Sequence, residues 1–278
     1  MKRVLTALIL IPLVLALVFL GPRWQWVFTL VTAGVAALAA WEFMGMAART
    51  GAKPPRIAVL VAIGLLFAGN LEWPDQSTAI FGILSLALLV YCTFSSPIEQ
   101  VMPNAMISVF CLLYTGLTLE VLPALRESPE GNGPSLLTFL LCAVWAGDIA
   151  ALYVGRAWGR HKLAPSLSPN KTWEGTLGSV AGSVVVTGGL LGLAHLLQTW
   201  DKVWLSYPED IWYWLVLAVV VNIAAQVGDL AESALKRSVD VKDSGSLLPG
   251  HGGVLDRVDA LLLAAPALWY ALLIHQRF

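Results

Sequence analysis

Acidic and basic side chains are concentrated in one stretch of the chain, residues 226–259, which reads QVGDLAESALKRSVDVKDSGSLLPGHGGVLDRVD. Charged residues make up only 13% of the whole sequence, so this density is far above the average. Glycine and proline interrupt the charges and indicate a loop with unusual backbone geometry, at Gly245, Pro249, Gly250, Gly252 and Gly253. Because Lys and Arg bind phosphate groups and carboxylates bind divalent cations, the mixture favours a phosphate-and-metal site over a solvated interhelical loop.

Two predicted helices must position these charges. The first covers about residues 212–236, and its N-terminal part is apolar. It then carries four polar residues, spaced 4, 3 and 4 apart: Asn222, Gln226, Asp229 and Ser233. This spacing places them on one helical face, which must lie against protein or water because lipid cannot satisfy polar groups. The second helix begins near Asp256 and carries Asp259 one turn later, so both helix ends present carboxylates to the loop.

The residues from 233 to 259 follow the pattern S-x-L-K-R-x4-K-D-x-G-x2-L-P-x-H-G-G-V-x-D-R-V-D. This pattern resembles the signature of the phosphatidate cytidylyltransferases, also called CDP-diacylglycerol synthases. A second segment, SPNKTWEG at 168–175, is also similar to an element of that family. The resemblance extends over about residues 140–275, whereas the first 130 residues resemble the family only in hydropathy.

The resemblance implies an enzyme that transfers the cytidylyl group of CTP to phosphatidic acid, giving CDP-diacylglycerol and pyrophosphate. It also implies Mg²⁺ as the cofactor, with K⁺ as a second cation, and a homodimer in the lipid bilayer. We expect the lipid to enter sideways from the inner leaflet and CTP to arrive from the cytoplasm. We expect no nucleic-acid partner.

The candidate site residues divide by their chemistry. We assign metal binding to Asp229 and Asp256, with Asp259 and Asp148 as further candidates. The cations expected to hold phosphate groups are Lys171, Lys236, Arg237, Lys242 and Arg257. His251, which is flanked by glycines that let the backbone approach a ligand, could bond a phosphate oxygen or orient a carboxylate. Further substrate contacts are expected from Ser168, Asn170, Ser233, Gly252 and Gly253.

Acidic residues inside the apolar segments need a separate explanation. Asp148 lies within a predicted span, where a carboxylate without a partner costs about 3 kcal/mol. The alternative to a role in the site is an ion pair with Arg156 or Lys171 that holds helices together. Glu42 and Glu120 lie near the ends of two other spans, and we expect structural or interfacial roles for them.

Composition predicts an all-α, polytopic membrane protein. Hydrophobic residues make up 58% of the 278 positions, and the mean hydropathy is +0.74. The charged fraction is about half that of a typical soluble domain. The cysteines are three in number and lie in apolar runs, so they indicate neither a disulfide framework nor a zinc site.

Nine apolar segments are candidate membrane-spanning helices: 4–21, 25–47, 57–71, 78–94, 104–124, 134–154, 174–197, 211–235 and 256–275. The first is expected to remain uncleaved, because no small-residue cleavage site follows it. With the N-terminus in the cytoplasm, 13 of the 17 lysines and arginines fall on the cytoplasmic side, in agreement with the positive-inside rule. This orientation predicts a protein of the inner (plasma) membrane with cytoplasmic loops at 155–173 and 236–255.

The polar loop near residue 130 is the predicted boundary between two regions. Residues 1–130 form an N-terminal helical region, and residues 131–278 form a C-terminal catalytic region with the two cytoplasmic loops. Close helix packing is predicted at the start of the seventh span, where three glycines are spaced 3 and 4 apart: Gly175, Gly178 and Gly182.

Two other functions are open at this point. One is a CDP-alcohol phosphotransferase, although the D-G-x2-A-R motif of that family is absent. The other is an ion-coupled transporter, in which Asp148 and Asp229 would carry protons. A transporter does not explain the spacing of the fixed residues in 233–259.

Overall fold

The computed structural model describes residues 11–128, 133–201, 204–208, 210–247 and 252–275. Most of these residues are helical, in α1 (Gln25–Ala47), α2 (Arg56–Glu72), α3 (Ser77–Ser95), α4 (Ile98–Cys111), α5 (Thr118–Arg126), α6 (Gly133–Trp158), α7 (Trp173–Thr199), α8 (Ile211–Ser238), α9 (Leu255–Val258) and α10 (Leu261–His275). A π-helical turn, Leu112–Leu117, joins α4 to α5. The described ranges contain two short strands, β1 (Lys162–Ala164) and β2 (Ser168–Thr172). The predicted all-α class is confirmed, with one small hairpin in addition.

Seven helical segments of the described chain are long and apolar enough to cross a membrane. They correspond to seven of the nine predicted spans, so the prediction of a polytopic membrane protein is confirmed. The third predicted span is α2, whose 17 residues fall short of the roughly 20 that a bilayer core requires. Residues 4–10 of the first predicted span, 4–21, lie outside the described residues, and residues 11–18 of the span are helical.

The chain divides into two compact units, and the charged stretch is shared between them. The first unit combines Met1–Ala124 with Leu235–Val258, and the second combines Leu125–Ala234 with Asp259–Phe278. Residues 239–254, named the charged loop from here on, therefore belong to the first unit together with α9. The division into an N-terminal region and a catalytic region near residue 130 stays a prediction.

In the first unit, α1 packs against α2, the π-helical turn and α9, while α3 packs against α4. The contacts bury large apolar side chains that are almost inaccessible to solvent, including Met44, Val59, Ile63, Leu66 and Leu112. After α1 the chain makes a single turn of 3-10 helix and then reverses at Gly51, whose φ of +91° is in the region that favours glycine.

A buried polar cluster lies among these helices of the first unit. Glu120 accepts hydrogen bonds from Asn70 Nδ2 and from Ser77 Oγ, the latter at 2.7 Å, and only 3% of its surface is exposed. These contacts fit the structural role predicted for Glu120, because each donor offsets the burial of the carboxylate.

In the second unit, α6 and α7 pack together along much of their length, and glycines make this approach possible. A Cβ atom at Gly178 would lie 2.6 Å from Val154 Cβ, and one at Gly182 would collide with Ala150. The predicted packing role of these glycines is therefore confirmed.

The hairpin of the second unit connects α6 to α7. Its strands pair antiparallel, with Lys162 opposite Thr172 and Ala164 opposite Ser168. Thr172 has extended backbone angles and its Oγ1 accepts a hydrogen bond from the Gly175 N–H at 3.1 Å, so it is the N-cap of α7. The sequence indicates only a loop between these two helices, so the hairpin is a feature that the sequence did not predict.

Adding one methyl group at Gly178 is expected to destabilise the protein by about 1–3 kcal/mol, because the methyl overlaps Val154 and α6 must move away from α7. This loss should outweigh the roughly 1 kcal/mol by which alanine favours a helix over glycine. Gly188→Ala on the same helix is the matched control, since its added methyl meets no atom within 4 Å beyond the adjoining residues and backbone of α7. In thermal unfolding in detergent, Gly178→Ala should lower the Tm and Gly188→Ala should not. Equal Tm values for the two variants would contradict the packing role.

Candidate active site

The second unit contains a cavity of about 610 Å³ formed by α6, the hairpin, α7 and α8. This volume lies within the range of small-molecule sites, about 300–1,000 Å³. Its polar lining residues are Asp148, Arg156, Asn170, Lys171, Thr172, Thr176, Ser179, Gln226 and Asp229. Two carboxylates and two cations therefore face the same space as several neutral oxygen and nitrogen groups.

One face of α6 supplies much of this lining. Asp148, Leu152 and Arg156 follow each other at intervals of four residues, which places them in a row along the helix. Asp148 interacts electrostatically with both Asp229 and Lys171. It is thus part of a charged group in the cavity, as its predicted role in the site requires.

The polar face of α8 lies against protein, as its spacing predicts. Asn222 is buried and donates through Nδ2 to Ser179 Oγ at 3.0 Å and to Ser183 Oγ at 2.8 Å. Gln226 Nε2 donates to Asn222 Oδ1 at 2.7 Å. These bonds hold the helix so that Asp229, one turn further on, reaches the cavity.

Lys171 and Asp229 form an ion pair on the cavity wall, with 2.6 Å between Lys171 Nζ and Asp229 Oδ2. The side chains keep 26% and 38% of their surface exposed. Both groups are accessible to a ligand, so a bound phosphate could reach the ammonium group and a bound cation could reach the carboxylate.

Glu174 fixes the hairpin that carries Lys171. Its carboxylate accepts hydrogen bonds from the Arg160 N–H at 3.1 Å and from the His161 N–H at 3.2 Å. His161 Nδ1 lies 2.6 Å from Glu174 Oε1. The start of the hairpin is therefore attached to the first turn of α7, and Lys171 lies on the strand that returns to that turn.

The donor atoms of the cavity suit Mg²⁺. Asp148 and Asp229 carry carboxylate oxygens and Asn170 and Gln226 carry amide oxygens, which are the hard ligands that Mg²⁺ prefers. In the described part of the chain, no three His, Cys, Asp or Glu residues gather into a group able to hold a metal. Since Mg²⁺ is usually bound by one or two carboxylates together with substrate phosphates, the residues present fit an ion that arrives with a nucleotide.

In the first unit, Asp256 organises the charged loop. Its Oδ1 lies 2.6 Å from Lys236 Nζ, and its Oδ2 accepts hydrogen bonds from Ser244 N at 2.9 Å, Ser244 Oγ at 2.9 Å and Gly253 N at 2.7 Å. The side chains of Lys236 and Asp256 are only 12% and 7% exposed. Both oxygens of this carboxylate therefore have donors from the loop or from the end of α8.

Glycine is needed where the chain passes Asp256. Gly252 has a φ of +77°, and a Cβ atom there would lie 2.5 Å from Asp256 Oδ2. A side chain at this position would therefore be strained by its backbone angle and would also crowd the carboxylate.

The other predicted phosphate-binding cations of the first unit lie on its surface. Arg237 is exposed and donates through Nη1 to the Val241 carbonyl oxygen at 3.0 Å, and Lys242 and Arg257 are also exposed. His251 lies outside the described residues.

The remaining predicted residues lie in the second unit. Ser168 begins β2 and is half-buried, while Asn170 lies on the same strand and lines the cavity. Ser233 is half-buried on α8, and Asp259 lies directly after α9 in the second unit. The close approach of Gly228 to the Asp259 carbonyl oxygen brings this turn against α8.

The two acids predicted to share a metal belong to different units, Asp229 to the second and Asp256 to the first. Within the second unit, Asp229 shares the cavity with Asp148. The pairing of Asp229 with Asp256 at a metal stays a prediction. Arg156 was not predicted as a site residue, although its position two turns after Asp148 was a signal that both could line one space.

Comparisons with known proteins match this chain to one family. The sequence profile of the Cytidylyltransferase family matches residues 1–275. The phosphatidate cytidylyltransferase of Pseudomonas aeruginosa is 33% identical over 287 residues, which cover 97% of each chain, and that of Bacillus subtilis is 30% identical over 280 residues, which cover 98% of this chain and 97% of the relative. The phosphatidate cytidylyltransferase of Brucella melitensis is 49% identical over 158 residues. That match covers 57% of this chain and about half of the relative's length, 54%.

Removing the charge of Asp256 is expected to destabilise the first unit by about 3–5 kcal/mol, because the nearly buried Lys236 ammonium loses its partner. Lys236→Met should cost less, since Asp256 keeps its hydrogen bonds from Ser244 and Gly253. Asp243→Asn, at an exposed position of the same loop, is the control and should change stability by less than about 0.5 kcal/mol. Melting curves in detergent measure the loss of stability in each of the three variants. Wild-type melting of Asp256→Asn would show that this ion pair does not stabilise the loop.

Proposed function

This chain belongs to the cytidylyltransferase family, and from that premise we propose that it transfers the cytidylyl group of CTP to phosphatidic acid, giving CDP-diacylglycerol and pyrophosphate. The names of the Pseudomonas and Bacillus relatives, which align over nearly their whole length, support this reaction. The observation that carries the proposal is the ion pair of Lys171 and Asp229 on the wall of a cavity that also holds Asp148 and Arg156. Such a set can bind a phosphate chain and its divalent counter-ion together.

The chemistry requires alignment more than proton transfer. The phosphate group of phosphatidic acid is a monoester with a second pKa near 6, so it is largely ionised at pH 7. One of its oxygens forms a bond to the α-phosphorus of CTP while the bond from that phosphorus to the pyrophosphate oxygen breaks. No general base is needed, and catalysis depends on holding the two reactants in line and on neutralising their charge.

The residues proposed to hold Mg²⁺ are Asp229 and Asp148, which share the cavity, together with Asp256 and Asp259, which the sequence predicts as ligands. The ion would supply positive charge to the triphosphate and to the leaving pyrophosphate. K⁺ is proposed as a second cation on the basis of the family resemblance. When a nucleotide and its metal are bound, Lys171 and Asp229 each gain an alternative partner of opposite charge.

The cations proposed to bind phosphate groups fall into two sets. Lys171 and Arg156 line the cavity, where Arg156 can present two parallel N–H groups to a phosphate. Lys236, Arg237, Lys242 and Arg257 belong to α8, the charged loop and α9, and we propose that they hold phosphate groups of the substrates.

We also propose that the protein lies in the inner (plasma) membrane as a homodimer, with its active site facing the cytoplasm. The charge asymmetry of the loops supports this orientation. The family match does not favour a CDP-alcohol phosphotransferase or an ion-coupled transporter.

The orientation can be tested by cysteine labelling in whole cells. Asp243→Cys, in the charged loop, should react with a membrane-impermeant reagent only after the inner membrane is opened. Asp201→Cys, in the loop predicted to be outside, should react without opening it. Labelling of both positions from the same side would contradict the orientation.

The reaction is tested with purified protein, radiolabelled CTP and phosphatidic acid in detergent. Label should pass into a lipid product when Mg²⁺ is present, stop after chelation, and resume when Mg²⁺ is restored. Soluble glycerol 3-phosphate should be a much poorer acceptor, because we expect the acceptor to enter from the bilayer. The absence of labelled lipid under all conditions would refute the proposed function.

In the same assay, Asp229→Asn is expected to lower turnover on the order of 100-fold, since it removes a negative charge that balances the metal and Lys171. Asp201→Asn, at an exposed aspartate of the same unit that does not line the cavity, is the control and should retain activity. An Asp229→Asn variant with wild-type activity would remove Asp229 from the proposed metal ligands.

A further inference from the structure

Glu42 is a buried carboxylate of the first unit that the proposed reaction does not use. It lies on α1, within the apolar sequence AAWEFMGMA, and only 5% of its surface is exposed. Burying an ionisable side chain in an apolar span carries a free-energy penalty. The contacts of Glu42 therefore indicate its role in the structure.

One oxygen of Glu42 contacts the chain at two points, within the charged loop and directly after it. Glu42 Oε2 accepts a hydrogen bond from the Leu255 N–H at 2.9 Å and lies 3.1 Å from Ser244 Oγ. Leu255 is the first residue of α9, and Ser244 lies near the start of the loop. A single acceptor on α1 thus joins two points of the chain that are eleven residues apart.

Two described glycines of the loop also lie close to this side chain. A Cβ atom at Gly245 would collide with Glu42 Oε1, and one at Gly253 would collide with Glu42 Oε2. These two glycines therefore allow the backbone to approach Glu42, which explains part of the glycine content of the loop without any ligand.

Ser244 links Glu42 to the residues expected to act on the substrate. Its hydroxyl lies within hydrogen-bond distance of Glu42 Oε2 and of Asp256 Oδ2, and its backbone N–H donates to Asp256 Oδ2. Asp256 in turn pairs with Lys236. The contacts therefore run from α1 through Ser244 and Asp256 to a cation that is expected to hold phosphate.

We propose that Glu42 is a positioning residue for cytidylyl transfer. It fixes the charged loop through Ser244 and Leu255, and so determines where Asp256 and Lys236 stand, without touching the substrate itself. The proposal rests on the proposed function for its kinetic consequence, but its structural part can be measured separately.

The contacts of Glu42 require a hydrogen-bond acceptor at the position of Oε2. A conservative variant that keeps this acceptor should therefore keep the function of the residue. Glu42→Gln can keep a carbonyl oxygen at this place, with its amide nitrogen replacing Oε1. Glu42→Leu removes the acceptor at similar size and leaves the Leu255 N–H and the Ser244 hydroxyl without it.

The control is Glu120, the other buried carboxylate of the first unit described above. Its partners are Asn70 and Ser77, and neither is part of the charged loop. Glu120→Leu should therefore lower the melting temperature, because buried hydrogen bonds are lost. Its kcat/KM per folded molecule should stay within about threefold of wild type.

The test compares kcat/KM, measured with CTP and phosphatidic acid per folded molecule, with hydrogen exchange at the amides of Ser244 and Leu255. Glu42→Leu should lower kcat/KM by about 10- to 100-fold, as loss of supporting contacts at metal sites does, and should speed exchange at both amides. Glu42→Gln should restore both measurements to within about threefold of wild type. If Glu42→Leu does not fold, Ser244→Ala should show the same changes in smaller amount.

Two results would overturn the proposal. One is wild-type kinetics and exchange in Glu42→Leu, or in Ser244→Ala where that variant replaces it. The other is an equal kinetic loss in Glu120→Leu, which would make the effect one of general stability. Failure of the wild-type protein to use CTP would refute the proposed function instead, and the exchange measurement would still decide whether Glu42 holds the loop.

Discussion

Carboxylates in a largely apolar chain must find hydrogen-bond donors nearby, because lipid and packed hydrocarbon cannot solvate them. In the first unit, Glu120 meets this requirement through Asn70 and Ser77, and Asp256 meets it through Lys236, Ser244 and Gly253. The structure of the charged loop follows from the same requirement, since the donors around Asp256 come largely from the loop itself. Among the described residues of the loop, Ser244 and Gly253 are thereby held at the carboxylate of Asp256.

In the cavity of the second unit, the carboxylates are stabilised in a different way. Asp229 is paired with Lys171 but remains 38% exposed, and Asp148 faces the same space. The pair of Lys171 and Asp229 is partly exposed, whereas the pair of Lys236 and Asp256 is nearly buried. A ligand can therefore reach Lys171 and Asp229 and balance their charges. A nucleotide with its metal has the charges needed to do so.

Periodicity and composition were sufficient to predict the helices and one polar face. The spacing of Asn222, Gln226 and Asp229 allowed their common direction to be inferred, and the glycines at 178 and 182 allowed close packing to be inferred. Contacts between distant parts of the chain leave no such pattern. Glu42 and Leu255 are 213 positions apart, so nothing local indicated their hydrogen bond. The hairpin was missed because SPNKT lacks the alternating apolar residues of a half-buried strand.

That hairpin sets limits on how the length of the chain can vary around Lys171. Residues 165–167 form the turn between the strands, and an extra residue there only enlarges a closed loop, for which the entropic penalty grows slowly with length. An extra residue within β2, between Ser168 and Lys171, has a different consequence, because side chains alternate between the two faces of a strand. It would turn the ammonium group away from Asp229 or shift the cap of α7. Insertions and deletions among natural relatives should therefore concentrate in the turn and avoid the strand.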